Sequence, residues 1–385
     1  MSELRALTDA ARQRREQRLS FLSATVVRVR GSGYRRAGAR MLASADQWLA
    51  GSISGGCLER DVMTKGMWRT RNERALLVTY DQAENALDER SGSGCQGVVD
   101  VLLERHEPGD PAAADVFMAA ERCIREESVA AVLSVFRSNR SDVPVGARVI
   151  LAGAELHCTH ASVFLRTVFA RDTDAVIAAQ SAPFVVRHAD ADGEVEALVE
   201  CIVPPPHLFV FGTGHDAVPL VALAKTIGWS VSVWDASPRS SARERFRTAD
   251  HYLTGSLEAA VAALSRCVRS AAVVMGHDLA QDRAVLASLL PVGAHYLGVL
   301  GPKQRTEQML VDCGATVPDD ARLYAPVGLQ LGAQTPAEIA LAIMAEAQAV
   351  LTQSAVTALR AQAGPIHRAS AVAPTASARL ALGTQ

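Results

Sequence analysis

The chain has 385 residues, 49% of them hydrophobic and 21% charged, with a formal net charge of -2. That balance excludes a fibrous or largely disordered protein, offers no concentrated basic surface for nucleic acid, and at this length points to more than one core. Seven scattered cysteines with no C-x-x-C pair exclude a disulfide framework and a zinc site; with no signal-peptide core and no apolar run of ~18 residues, a reduced, cytoplasmic protein without membrane contact is expected.

In chain order, residues 1–22 read as a helical extension whose basic face runs from Arg5 to Arg18. An α+β domain is expected over 23–203, with strands at 24–29, 40–43, 48–49, 75–79, 98–103, 130–136, 148–151, 184–186 and 195–203, and a helix over 111–127. Inside it, Gly51-Ser-Ile-Ser-Gly-Gly-Cys-Leu-Glu59 leads into a helix predicted over 58–69. Cys57 would then sit beside free backbone N–H groups and the positive end of the helix dipole, which favours a thiolate and hence a soft ligand or sulfur carrier. Ser54, Gly55 and Gly56 would let a ligand approach the backbone. The plainer alternative is a sharp turn serving the fold, with Cys57 as a small buried hydrophobe. A second glycine-rich loop, Ser91-Gly-Ser-Gly-Cys-Gln-Gly97, carries Cys95 in a similar setting; the two loops line one site or are unrelated turns.

Pro204-Pro-Pro206 marks a domain boundary, and short β-rich runs then alternate with helical segments as a doubly wound parallel sheet requires, over 204–362. Its opening, Leu208-Phe-Val-Phe-Gly-Thr-Gly-His-Asp-Ala217, supplies strand, G-x-G-x-x-A and helix, and Val231-Ser-Val-Trp-Asp235 ends the next strand on an acid. This is the Rossmann order: Gly212 for the turn, Gly214 for approach of a pyrophosphate, His215 and Asp216 at the helix start, Ala217 for close packing, and Asp235 to accept from a ribose. A scaffold without a dinucleotide satisfies the same pattern, and Arg239 favours a phosphorylated ribose or pairs with a surface acid. Further strands end at Gly276-His-Asp278 and at Gly301, so His277, Asp278, Gly301, Lys303 and Arg305 are candidates for the same crevice, with His277 the titratable one. His277-Asp278 as a loop histidine and a helix-capping acid is the plainer alternative. An Ala-rich helix is expected over 336–359 and a flexible tail over 363–385.

Four ordered motifs resemble the xanthine dehydrogenase accessory factor family (XdhC/CoxI-like): Gly51 to Glu59, Phe211-Gly-Thr-Gly-His-Asp-Ala-Val-Pro219, Tyr296-Leu-Gly-Val-Leu-Gly301 and Leu331-Gly-Ala-Gln-Thr-Pro-Ala-Glu-Ile-Ala340. The resemblance covers the chain from Ser23 to near Val350. Thr213 stands where many relatives have Ala, and Asp235-Ala-Ser-Pro-Arg239 is longer than their Asp-x-Arg-Pro. The resemblance implies a carrier more than a catalyst: a protein that binds molybdenum cofactor (molybdopterin) as cargo, works with a cysteine desulfurase that installs the sulfido ligand, delivers to the apo large subunit of a xanthine dehydrogenase-like molybdenum hydroxylase, and forms a homodimer. Cys57 would be the molybdenum ligand or transient persulfide, and Cys95 a weaker second. Gly212 and Gly214 would hold the nucleotide of a dinucleotide cofactor or the pyranopterin phosphate. The competing enzyme is an NAD(P)-dependent oxidoreductase with His277 as proton donor; a third class, a scaffold docking on the target dehydrogenase, needs surfaces only.

Overall fold

The computed structural model describes residues 2–31, 33–81, 97–110, 115–169, 182–236, 240–313 and 322–361, the side chains of Cys57, Ser240 and Ser241 excepted. The chain divides into two compact units, an N-terminal one over Glu3–Val203 and a C-terminal one over Pro204–Gln362 with Met1–Ser2. The predicted tail over 363–385, the Cys95 loop and Arg239 lie outside the described residues.

Two antiparallel sheets make the N-terminal unit. The first joins β1 (Phe21–Gly31), β2 (Arg40–Ala43), β3 (Trp48–Gly51), β4 (Ala75–Asp81) and β5 (Gly97–His106) in the order β3-β2-β1-β5-β4. The second joins β6 (Ala130–Ser138), β7 (Arg148–Ala152), β8 (Glu155–Cys158), β9 (Phe184–Asp190) and β10 (Gly193–Ile202) as β8-β7-β6-β10-β9. Period-two alternation gives β5 two characters. Val99, Val101 and Leu103 pack with Leu22, Ala24 and Val26 of β1 and with Leu58 and Val62 of the helix α2 (Cys57–Arg69). On the opposite face Leu102 meets Val27, Phe136 and Leu198, the last two from the second sheet.

That second face is mostly ionic. Arg28 on β1 bonds Asp100 at 2.7 Å and reaches Glu196 of β10 at 3.1 Å. Arg40 of β2 forks onto buried Glu200 of β10, and buried Arg148 of β7 donates to both oxygens of Glu104 on β5 at 2.8 and 2.7 Å. The helices α1 (Glu3–Glu16) and α3 (Val116–Glu126) share a further core, where Leu7 and Ala11 meet Phe117, Ala120, Phe21 and Leu42. Leu165 and Phe169, in helical residues 163–169 (α4), cover the remaining face of the second sheet.

The C-terminal unit is a six-stranded parallel sheet of β11 (His207–Phe211), β12 (Ser230–Asp235), β13 (His251–Thr254), β14 (Ser270–Val274), β15 (Tyr296–Val299) and β16 (Leu323–Tyr324), ordered β13-β12-β11-β14-β15-β16. Numbered within the unit this is 3-2-1-4-5-6, the doubly wound arrangement expected from the motif. Its four central strands are buried on both faces, so Leu208 to Phe211 and Ala271 to Val274 read as continuous apolar runs. Helices α5 (Ala217–Thr226) and α10 (Pro336–Leu351) pack together over one core, and α7 (Leu257–Ser265), α8 (Leu279–Leu289) and α9 (Lys303–Asp312) contribute to the other; α6 (Ser240–Arg245) is a short turn of helix. Strand order reverses between β11 and β14, which sets the crevice at their carboxyl ends.

Three expectations differ. The last long helix stops at Leu351, short of 359, because Gln353 turns left-handed, with φ of 51°, and the Ser354 N–H closes back onto the Ala349 carbonyl at 2.9 Å. The helix expected over 111–127 begins at Val116 behind the cap Asp115, and 111–114 lie outside the described residues. The exposed strand β8 has no apolar alternation to announce it and exists by pairing with β7.

The buried Arg148–Glu104 pair yields a stability prediction. Arg148→Ala leaves an unpaired buried carboxylate and is expected to cost about 3–5 kcal/mol, while the double change Arg148→Met with Glu104→Leu restores most of it. Denaturant titration of the three proteins checks this, and equal losses in the single and double variants would refute it.

Candidate functional site

In the N-terminal unit the loop between β3 and α2 is organised by one carboxylate. Glu59, in the first turn of α2, accepts from the backbone N–H of Ile53 (2.9 Å), Ser54 (2.6 Å) and Gly56 (3.0 Å), and from the hydroxyls of Ser52 (2.9 Å) and Ser54. The Ser54 hydroxyl in turn takes the N–H groups of Gly56 at 3.1 Å and Leu58 at 3.2 Å. Burial pushes the Glu59 carboxyl up, but the donors from Ser54, the adjacent backbone and Ser52 outweigh it and hold it below the ordinary range. The polar groups of the loop are thus turned inward. Outside, a Cβ built on Gly55 or Gly56 would meet nothing within 4 Å, and Gly56 has a φ of +125° that only glycine adopts readily. Cys57 is the first residue of α2, as the motif requires; its side chain lies outside the described residues.

The C-terminal unit assembles a second group at the switch point. Gly212, with φ of +142°, passes so close to β14 that a Cβ would lie 2.5 Å from the Met275 carbonyl oxygen. A Cβ on Gly214 would lie 2.2 Å from Asp216 Oδ1 and 2.5 Å from His277 Nε2. Gly212, Gly214, Asp216 and His277 therefore share one corner, His277 Nε2 standing 3.5 Å from Asp216 Oδ1 with its side chain 73% exposed. His215 is exposed beside them. Asp216 is the N-terminal boundary of α5 and its side chain makes no cap bond; in the first turn the Ala217 N–H bonds the Gly214 carbonyl at 3.3 Å and Pro219 has none to offer.

The other sequence candidates have internal duties. Asp235 ends β12 but is only 8% exposed and accepts the Tyr252 hydroxyl at 2.6 Å; burial and this bond push the Tyr252 phenol up. Asp278 caps α8 through the Gln281 N–H at 2.8 Å. Arg305 donates to buried Asp282 at 2.6 Å and to the Leu300 carbonyl at 3.3 Å, and Asp282 accepts the Gly276 N–H beneath the His277 loop. Burial raises the Asp282 carboxyl, partly offset by Arg305. Lys303 faces solvent with Glu307 3.8 Å away.

Three residues escaped the sequence reading. Glu59 was visible only as the last letter of a motif, although its place three residues after Gly56 is that of a capping carboxylate. Arg245, at the end of α6, donates to the Thr213 carbonyl at 3.0 Å, in the middle of the glycine turn. Tyr252 holds Asp235 from the neighbouring strand. Neither of the last two leaves a local signal. A Ser23–His106–Asp115 chain also occurs, with Ser23 Oγ 2.9 Å from His106 Nε2 and Asp115 3.5 Å from Nδ1. Ser23 is 1% exposed and Asp115 caps α3, so the chain is part of the core. Among the described residues no helix is long and apolar enough to cross a membrane.

Residues 208–347 match the family model described as XdhC Rossmann domain, and residues 14–81 match that of the XdhC and CoxI family. The chain is 30% identical over 348 residues to a probable xanthine dehydrogenase subunit of Bacillus subtilis (strain 168), covering 90% of this chain and 97% of that one. It is 30% identical over 162 residues to the uncharacterized protein YqeB of Escherichia coli (strain K12), covering 41% of this chain and 30% of that protein. The crystal structure of a xanthine dehydrogenase from Bacillus halodurans shares the fold, with a TM-score of 0.70 at 24% identity, over 92% of this chain and 97% of that one.

Two predictions come from this geometry. A carboxyl depressed on folding contributes stability that is present above its unfolded value, about 4.3 for glutamate, and lost as pH falls through the lower folded value. The amides of Ile53, Ser54 and Gly56 are therefore expected to keep their protection from exchange at neutral pH and lose it in acid, and Glu59→Gln to lose about tenfold or more already at neutral pH. Gly212→Ala is expected to cost about 3 kcal/mol in thermal or denaturant unfolding, whereas Gly55→Ala changes it by less than about 0.5 kcal/mol.

Proposed function

The chain belongs to the XdhC and CoxI family, and from that premise we propose that it is a maturation factor that binds molybdenum cofactor and supports its sulfuration and insertion into a xanthine dehydrogenase-type molybdenum hydroxylase. The observation that carries this reading is the loop of Ser52 to Glu59. A carrier of a metal-bearing cargo needs a preformed, accessible surface and a soft ligand. Here Glu59 and the Ser54 hydroxyl take up the Gly56 and Leu58 N–H groups on either side of Cys57, so the free donors expected beside the thiol are spent on fixing the loop; Gly55 and Gly56 leave the space outside it open, and Cys57 starts the helix there. In this reading Cys57 is the soft ligand or persulfide carrier, with Ser54 and the two glycines around it. The turn at Gly212 and Gly214 would hold a phosphate ester, that of the nucleotide or of the pyranopterin. A cysteine desulfurase as sulfur donor, the apo large subunit of the hydroxylase as recipient, a homodimeric state and a cytoplasmic location belong to the same proposal.

The second reading, an NAD(P)-dependent oxidoreductase, is favoured by one observation, the exposed His277 beside the glycine turn at the switch point. It predicts NAD(P)H binding with turnover of a reducible substrate; binding without turnover would speak for a carrier.

Protein purified without oxygen from cells that make the cofactor is expected to retain molybdenum and pterin, with Cys57→Ala retaining little of either. Gly55→Leu, which the open space above that residue lets fold normally, is expected to reduce retention as well. Retention unaffected by both substitutions would move the cargo away from this loop, and no retention by wild type would refute stable carriage.

A further inference from the structure

The geometry points to Arg245 as a further ligand-contacting residue of the C-terminal crevice, one that closes the glycine turn over a phosphate ester; this rests on the reading that the turn holds a phosphate. Arg245 ends α6, in the connection between β12 and β13, and reaches across to donate to the Thr213 carbonyl at 3.0 Å. Thr213 lies between Gly212 and Gly214, so the guanidinium is seated on the element that would carry the phosphate.

Charge at the corner explains why a cation is needed there. A Rossmann turn attracts phosphate through backbone N–H groups and the helix dipole. In this chain the same position holds the carboxylate of Asp216, which opposes that field. His277, 3.5 Å away, is the neighbouring imidazole. Arg305, the cation that the sequence offered for the crevice, is bound to buried Asp282, and Lys303 points into solvent. Arg245 supplies a permanent positive charge on the turn itself. One N–H of the guanidinium is spent on Thr213, and its planar fork is of the kind suited to phosphate oxygens.

The phosphate would come either from a free nucleotide or from the phosphate end of the cofactor cargo, and the test separates the two. ADP and adenosine are titrated calorimetrically into wild type, Arg245→Ala and Arg245→Lys, and the same proteins, purified without oxygen, are assayed for bound pterin. For a free nucleotide, Arg245→Ala weakens ADP by about tenfold or more, Arg245→Lys weakens it less, and adenosine is unaffected. For cargo, the loss appears in retained pterin. Thermal unfolding of each variant controls for folding, and if Arg245→Ala fails to fold, the weaker binding of the Lys variant carries the test. Unchanged ADP affinity and unchanged pterin in both variants would overturn the role of Arg245 while leaving the phosphate reading in place. Wild type that binds neither ADP nor pterin would overturn both.

Discussion

The N-terminal unit depends on arginine side chains buried between two sheets. Arg40 and Arg148 each face a carboxylate from the opposite sheet, and Arg28 spans Asp100 and Glu196. Two sheets with apolar inner faces slide against each other at little cost, since the hydrophobic effect has no direction. A guanidinium forked onto a carboxylate does have direction, and displacement by one residue exchanges a paired charge for an unpaired buried one. The pairs fix β2 against β10 and β5 against β7. The β2-β3 hairpin is thereby set, and with it the point at which the chain leaves β3 for the Glu59-bound loop.

A different constraint governs the C-terminal unit: room for backbone. Gly212 is a glycine because the backbone that follows β14 occupies the space a side chain would need, while at Gly214 the space is taken by the ends of the Asp216 and His277 side chains. The glycine pattern and the packing requirement coincide at Gly212. The same approach of the loop after β14 brings His277 beside Gly214 and Asp216.

Much of this was legible in the chain. The Rossmann half was readable because strand, glycines, helix and acid recur at short range, and the 3-2-1-4-5-6 order follows from that pattern. The motif at 331–340 has a local cause as well: Thr335 and Glu338 form a capping box for α10, Glu338 taking the Thr335 N–H at 2.8 Å. The sequence also offered Asp235, at the end of β12, to accept from a ribose, and here its carboxylate accepts the Tyr252 hydroxyl. What could not be read was pairing at a distance. Arg245 and Thr213 are 32 residues apart, and Arg40 and Glu200 are 160 apart; no periodicity encodes such contacts. Glu59 is the intermediate case: its capping position is local, but the Ser-rich loop it gathers shows only in the folded turn.

The internal satisfaction of the Ser52–Glu59 loop has a kinetic side. Its amides and hydroxyls spend their hydrogen bonds on Glu59 whether or not anything occupies the space above Gly55 and Gly56. An occupant arriving there neither orders the segment nor leaves it short of partners on departure, so no refolding barrier is added to either direction of exchange. Its residence time is set by the contacts it makes itself, and a recipient surface that competes for those contacts can take it without first prying the loop apart.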